Sequence, residues 1–325
     1  GYFALNIFLM KKILITDLVH ELLIEGFERA GYTVDYFPDI RYDEVCRIIS
    51  NFFGLIVNSK ILVDKEFIDR AERLKFVGRL GSGMEIIDHQ YAEHRGIGVF
   101  NSPEGNCNAV AEHALGMLLA LANNLICADR EVREFVWKRE KNRGFEIDGK
   151  TIGIIGYGHT GIAFAKKLLS WDVELLVHDK YKTQIDTQSG RIKVVEKAEM
   201  LKYADIISLH LPLTSETVSF VDEKFIEQWE KKGVLINTSR GKVVKTTALL
   251  SALDRGELKG VCLDVFENEK PETYSADEKI FYENLFRHKN SIFSPHIAGW
   301  TIESKEKLSK TLLYKILYFI ESNNL

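Results

Sequence analysis

The 325-residue chain is 46% hydrophobic and 28% charged, with a formal net charge of -4, which suits a globular protein of about two domains at roughly 150 residues each. Interspersed charge of both signs excludes the basic field that nucleic acid or an anionic membrane surface requires. The four cysteines, Cys46, Cys107, Cys127 and Cys262, lack the spacing of a zinc site or a redox pair, and so few suit a reducing cytoplasm.

Residues 1–9 are apolar, but Lys11 and Lys12 follow them, the reverse of a secretory signal. Met10 reads as a natural start, with the first nine residues as upstream sequence. No apolar run reaches the ~20 residues that span a bilayer; the nearest, 109–128, carries Glu112, His113, Asn123 and Asn124.

Strand and helix patterns then alternate. Apolar runs at 13–15, 33–37, 55–57 and 76–78 read as strands, with a helical pattern over 18–30 and others between. A long helix is expected over 106–123 and a charged one over 129–140. A polar, glycine-punctuated connection covers 144–150. The rhythm restarts with a strand at 152–155 and continues with strands at 174–178, 205–209, 233–237, 260–264 and 291–294. A helix over 302–320 closes the chain. This order predicts two α/β units with parallel sheets covered by helices.

Gly156, Gly158 and Gly161 form a G-x-G-x-x-G pattern between the 152–155 strand and a helical stretch over 162–169. The first glycine permits a tight turn, the second admits a pyrophosphate, and the third lets helix pack on strand. Asp179 follows the next strand, where a carboxylate accepts from ribose hydroxyls and repels a 2′-phosphate. The pattern therefore predicts NAD in preference to NADP, a preference that Lys180 softens.

Three later strands end in polar residues: Asn237 to Gly241, Asp264 to Glu269, and Ser294 to Trp300. Ligands of doubly wound sheets bind at the carboxyl ends of strands, so Arg240, Asp264, Glu269 and His296 are expected in one crevice. That set suits oxidation of a 2-hydroxy acid. A histidine takes the hydroxyl proton near neutral pH, a carboxylate orients the ring, and a guanidinium grips the substrate carboxylate. Of the other histidines, His288 reads as surface and His113 as a helix-surface or interface residue. His210 reads as crevice or packing.

From about Lys12 onward the chain resembles the D-isomer-specific 2-hydroxyacid dehydrogenases. The resemblance rests on the stretch from Arg79 to Asp88, on Val110 to Gly116, on the glycine loop, on His210 to Thr214, and on the three strand ends. It implies two Rossmann-like, doubly wound parallel-sheet domains: an NAD-binding domain over 102–296, inserted into a discontinuous, flavodoxin-like substrate domain of 1–101 and 297–325. It implies that Arg240 binds substrate, that His296 is the proton donor and acceptor, and that Glu269 pairs with it. Glu267 is the alternative partner, because Lys270 stands where the family has proline. The stretch over 268–283 is also longer and more charged than usual.

The cofactor contacts implied are Gly156, Gly158, His159, Thr160, Gly161, Asp179, His210, Pro212, Thr238 and Ser239, with Asp264 on the nicotinamide carboxamide. Substrate contacts fall to Ser82, Gly83 and Asn106, with Lys60 and Arg79 as cations for a phosphate. Helices over about 106–140 resemble a dimerisation arm, which implies a homodimer or homotetramer. The motifs sit nearest to 3-phosphoglycerate dehydrogenases, and no C-terminal serine-sensing regulatory domain is expected. Reductases of glyoxylate, hydroxypyruvate or pyruvate (a D-lactate-type activity) are the alternative. An NAD(H)-sensing corepressor-like binding protein is a remoter one. No metal is expected.

Overall fold

The computed structural model describes residues 11–182, 184–188 and 190–325; Met10 and the nine residues before it lie outside the described residues. The chain divides into two compact units, one formed by residues up to Asn106 with Trp300–Leu325, the other by Cys107–Gly299.

In the first unit, the central strands of a parallel sheet are short apolar runs buried on both faces, and the edge strands are only half-buried. They are β1 (Lys12–Ile15), β2 (Thr33–Tyr36), β3 (Gly54–Val57), β4 (Phe76–Arg79) and β5 (Gly98–Asn101). The helices between them are α1 (Glu21–Arg29), α2 (Tyr42–Ile48), α3 (Lys65–Arg70) and α4 (His89–His94). Asp64 and Asp88 start α3 and α4 by accepting N–H groups from the first turn, as capping carboxylates do. The strand order is β2-β1-β3-β4-β5, all parallel. That is the flavodoxin-like order, whose direction of winding reverses between β1 and β3.

In the second unit, α5 (Cys107–Ala122) and α6 (Leu125–Arg133) lead into β6 (Thr151–Ile155), α7 (His159–Leu168), β7 (Glu174–His178) and β8 (Ile192–Val194). There follow α8 (Lys197–Tyr203), β9 (Ile206–Leu209), α9 (Glu223–Gln228), β10 (Val234–Asn237), α10 (Thr246–Asp254), β11 (Gly260–Leu263), α11 (Ala276–Phe286) and β12 (Ser291–Phe293). The seven parallel strands run β12-β11-β10-β9-β6-β7-β8. Here the reversal lies between β6 and β9, the doubly wound dinucleotide-binding order with one strand added.

The last helix, α12 (Ile302–Ser322), returns to the first unit. It starts on a capping box between Thr301 and Ser304. Its buried face, Leu312, Ile316 and Ile320, joins the core that holds Ile13, Phe27 and Phe76. Each such side chain contributes about 1.5–3 kcal/mol by leaving water.

Several elements depart from expectation. The charged helix expected over 129–140 is α6, which starts earlier and stops at Arg133. Asn124, in a left-handed turn at φ 52°, separates it from α5, and Phe135, at φ 59°, ends the run. The charged stretch over 268–283 holds α11, whose capping box joins Ser275 and Glu278. Strands β5 and β8 sit at sheet edges and lacked the continuous apolar run that marks the central ones. Among the described residues no single helix is long and apolar enough to cross a membrane.

Candidate active site

The glycine loop leaves β6 at the reversal point of the seven-stranded sheet. Gly156 turns at φ +88°, and a Cβ there would sit 2.4 Å from His210 O. A Cβ on Gly161 would sit 2.1 Å from Gly156 O, so helix and strand meet only because that position is bare. In front of Gly158 there is open space. No side chain caps α7 there, so its first-turn N–H groups and positive dipole end point into that space. His159 and Thr160 form its first turn.

Asp179, after β7, holds this loop. Its carboxylate accepts Tyr157 N–H at 2.7 Å and the N–H groups of Tyr181 and Lys182 at 2.9 Å. Burial pushes the carboxyl up, but those donors and the Lys182 ammonium outweigh it and hold it below its usual range. Lys180 is paired with Glu216.

Of the two readings of His210, crevice or packing, its side chain takes the packing one. The ring is buried against Phe164, with Nε2 2.9 Å from Ser208 Oγ. Burial pulls its pKa down to about 3. Only its backbone faces Gly156. Pro212 contributes its carbonyl to Thr217 Oγ1.

The other half of the site lies on the same sheet edge, after β10, β11 and β12. Asn237 folds the first of these turns. Its Oδ1 accepts from the N–H and hydroxyl of Ser239, and its Nδ2 donates to Arg240 O. Thr238 Oγ1 is left buried with no hydrogen-bond partner among the described residues. A Cβ on Gly241 would sit 1.8 Å from Phe266 O, so the turn carrying Arg240 lies directly on the loop that carries Glu269.

His296 Nδ1 and Glu269 Oε2 are 2.7 Å apart. Glu269 Oε1 also accepts Phe266 N–H. Burial raises the Glu269 carboxyl, but His296, Phe266 N–H and the Arg240 charge outweigh it, so the net direction is down. Glu267 points elsewhere: its Oε1 accepts Thr246 N–H at the start of α10, 2.6 Å away. A carboxylate can only accept, so His296 donates through Nδ1, and Nε2 is the nitrogen left for proton exchange.

His296 itself sits at φ 58°, a left-handed conformation that costs roughly 1–2 kcal/mol outside glycine. The surrounding bonds hold it there. Ser294 N–H reaches Leu263 O, and His296 N–H reaches Asp264 O. The buried Asp264 carboxylate accepts Ser294 Oγ–H at 2.6 Å and the N–H groups of Ile297 and Ala298 at 2.9 Å. Sequence reasoning placed Asp264 on a cofactor and gave Ser294 no task. Asp264 is here a brace for the histidine loop, with room at Oδ2 for one further donor. Ser294, at a strand end opposite an acid, carried the signal.

The candidate substrate residues of the first unit lie at the carboxyl ends of β3, β4 and β5. Ser82 Oγ meets Asn106 Oδ1 at 3.2 Å, and Asn101 Nδ2 donates to Ser82 O. Gly83 is next on that loop. Arg79 Nε donates to Asn58 O, and Lys60 Nζ donates to Pro38 O. Asn58 N–H is held by Asp17.

The open space at Gly158, the uncapped α7 and the unpartnered Thr238 hydroxyl fit a dinucleotide whose phosphates lie on the helix N-terminus. Similarity points the same way. Residues 115–298 match the family model for the D-isomer specific 2-hydroxyacid dehydrogenase NAD binding domain. A D-3-phosphoglycerate dehydrogenase of Archaeoglobus fulgidus is 33% identical over 294 residues, which cover 90% of this chain and 54% of that protein. The chain thus spans little more than half of that relative. A glyoxylate reductase of Pyrococcus furiosus is 32% identical, with 95% of this chain and 92% of that protein covered. A solved D-lactate dehydrogenase from Aquifex aeolicus, complexed with NAD and lactic acid, superposes with a TM-score of 0.82 at 27% identity, covering 95% of this chain and 96% of that one.

Proposed function

Since the chain belongs to the D-isomer-specific 2-hydroxyacid dehydrogenase family, we propose that it is an NAD-dependent oxidoreductase interconverting a small D-2-hydroxy acid and its 2-oxo acid. The observation that carries this reading is the His296–Glu269 pair beside the Arg240 charge on one sheet edge. Bound NAD supplies the hydride acceptor, and NADH the donor.

The chain's own residues do the rest. In oxidation, His296 Nε2 takes the proton of the C2 hydroxyl. Glu269 stabilises the imidazolium that results and keeps Nδ1–H fixed. In reduction, the same Nε2–H returns the proton to the 2-oxo oxygen. Arg240 holds the substrate carboxylate in its planar fork. The α7 N-terminus, with Gly158 and Thr238, holds the dinucleotide, and Asp179 favours NAD.

The substrate proposed is D-3-phosphoglycerate, oxidised to 3-phosphohydroxypyruvate in serine biosynthesis, with Lys60 and Arg79 as phosphate cations. A second reading, reduction of glyoxylate or hydroxypyruvate, is favoured by the bonds that tie both cations to chain carbonyls. A spectrophotometric screen of 2-oxo acids with NADH, and of D-2-hydroxy acids with NAD, decides between them. Tight NADH binding without turnover of any acid would overturn the enzyme reading. An unchanged KM for 3-phosphoglycerate in Lys60→Ala and Arg79→Ala would remove the phosphate assignment.

The assembly proposed is a cytoplasmic homodimer or homotetramer built on the α5–α6 arm. Its support is that no residue of α6 is buried and that Leu125, Ile126, Val132, Phe135 and Trp137 are exposed, an apolar surface of the kind partners cover. Light scattering on wild type and on Phe135→Glu tests it; a wild-type monomer would refute it.

A further inference from the structure

A histidine of the second unit that the proposed reaction does not use lies against the histidine loop. His113 lies on α5, and its Nε2 is 2.8 Å from Ser294 Oγ and 3.6 Å from Asp264 Oδ1. Its neighbours leave little choice of polarity. Ser294 has a single hydroxyl proton, and that proton goes to the Asp264 carboxylate, which can only accept. The Ser294 oxygen must therefore accept, and His113 must donate through Nε2–H. The tautomer follows from the network. The chain of bonds runs from His113 to Ser294, from Ser294 to Asp264, and from the two Asp264 oxygens to the N–H groups of Ile297 and Ala298. Those amides immediately follow His296, whose left-handed backbone needs a fixed support.

We propose that His113 is a positioning residue for His296, acting from α5 through Ser294 and Asp264 to hold the histidine loop in its strained conformation. The hydrogen bond from His113 fixes the Ser294 oxygen. Ser294 then aims its proton at Asp264 Oδ1, and Asp264 presents both oxygens to the loop. Without that donor, Ser294 Oγ loses a partner and its hydroxyl is free to rotate off the carboxylate. One of the bonds holding a buried anion is then weakened, which loosens the loop.

The inference rests on the catalytic reading of His296, and its test separates the two. His113→Leu, His113→Gln, Ser294→Ala and His296→Ala are compared with wild type in the full chain. Turnover is measured with whichever of glyoxylate, hydroxypyruvate and 3-phosphohydroxypyruvate the wild type reduces fastest with NADH. Amide hydrogen exchange is read at Ile297 and Ala298. Loss of this half-buried donor is expected to lower kcat in His113→Leu by about tenfold or more and to speed exchange at both amides by a similar factor. His113→Gln keeps an N–H donor of similar reach, so both readouts should return to within about threefold of wild type. Ser294→Ala should behave like His113→Leu, and it carries the test if the leucine variant fails to fold.

Wild-type kcat and exchange in His113→Leu would overturn the proposal. So would a glutamine variant as impaired as the leucine one, since the role would then be packing. Normal turnover in His296→Ala would defeat the catalytic reading alone; the exchange rates would still decide whether His113 braces the loop.

Discussion

The loop after β6 and the loop after β12 leave one sheet at one edge, and they treat their hydrogen-bond donors in opposite ways. The glycine loop leaves α7 uncapped and keeps open space at Gly158. The histidine loop spends its donors on itself, with three of its N–H groups and the Ser294 hydroxyl bound to Asp264. The difference matches the roles proposed for the two loops. An anion site needs unsatisfied donors until its ligand arrives. A proton-exchanging imidazole needs fixed geometry beforehand, because misplacement erodes the advantage of a prearranged group.

The comparison breaks most visibly at His296. Replacing His296 with alanine should lower kcat by about 10²–10⁴, the range for a lost general acid–base group. NADH affinity, set by the open loop, should stay nearly unchanged by fluorescence titration. Loss of both together would make the histidine loop part of the cofactor site.

A second effect is in stability. His210, packed between the two halves of the edge, is held neutral by burial, with its pKa pulled down from 6.5 to about 3. Its folded value lies below its unfolded one. Between those values the unfolded chain binds a proton that the folded chain refuses, so stability falls as pH drops from about 6.5 toward 3. The slope is up to about 1.4 kcal/mol per pH unit. Denaturant unfolding of His210→Asn should lose that part of the slope; an unchanged slope would mean that water reaches the ring.

At the open loop the expected effects are smaller but separable. Gly158→Ala meets no atom within 4 Å in the chain, so its melting temperature should hold. The added methyl fills the space proposed for the pyrophosphate, and overpacking costs about 1–3 kcal/mol, roughly a tenfold weaker Kd for NADH. Gly161→Ala should do the reverse and unfold the protein more readily, because its methyl strikes Gly156 O. Equal melting losses in the two variants would dissolve the distinction.

The same contrast explains what could be read beforehand. Both sheets were legible because their central strands are unbroken runs such as Ile152 to Ile155, and parallel strands buried on both faces need such runs. The glycine loop was legible because its requirement is local. The histidine loop was not legible in its bracing. Asp264, Ser294 and His113 lie far apart in sequence, and their bonds exist only once β11, β12 and α5 are packed. His210 stayed open between crevice and packing for the matching reason: a strand-end position says where the backbone goes, not which way the ring turns.

The smallest prediction concerns the choice between Glu267 and Glu269, which lie two residues apart and which spacing left open. Glu269 meets His296, and Glu267 meets Thr246 N–H at the head of α10. Their substitutions should therefore fall on different observables. Glu269→Gln keeps the shape but removes the charge that steadies an imidazolium, so kcat should fall by about tenfold or more, as for a lost charged hydrogen-bond partner. Glu267→Gln removes only a charged acceptor from a helix start, worth about 0.5–1 kcal/mol of stability, and should leave kcat alone. Tyr274 and Tyr282, bonded to Asn268 between them, fix which carboxylate faces which way. If Glu267→Gln slows turnover while Glu269→Gln does not, the loop rearranges in the working enzyme and the pairing must be reassigned.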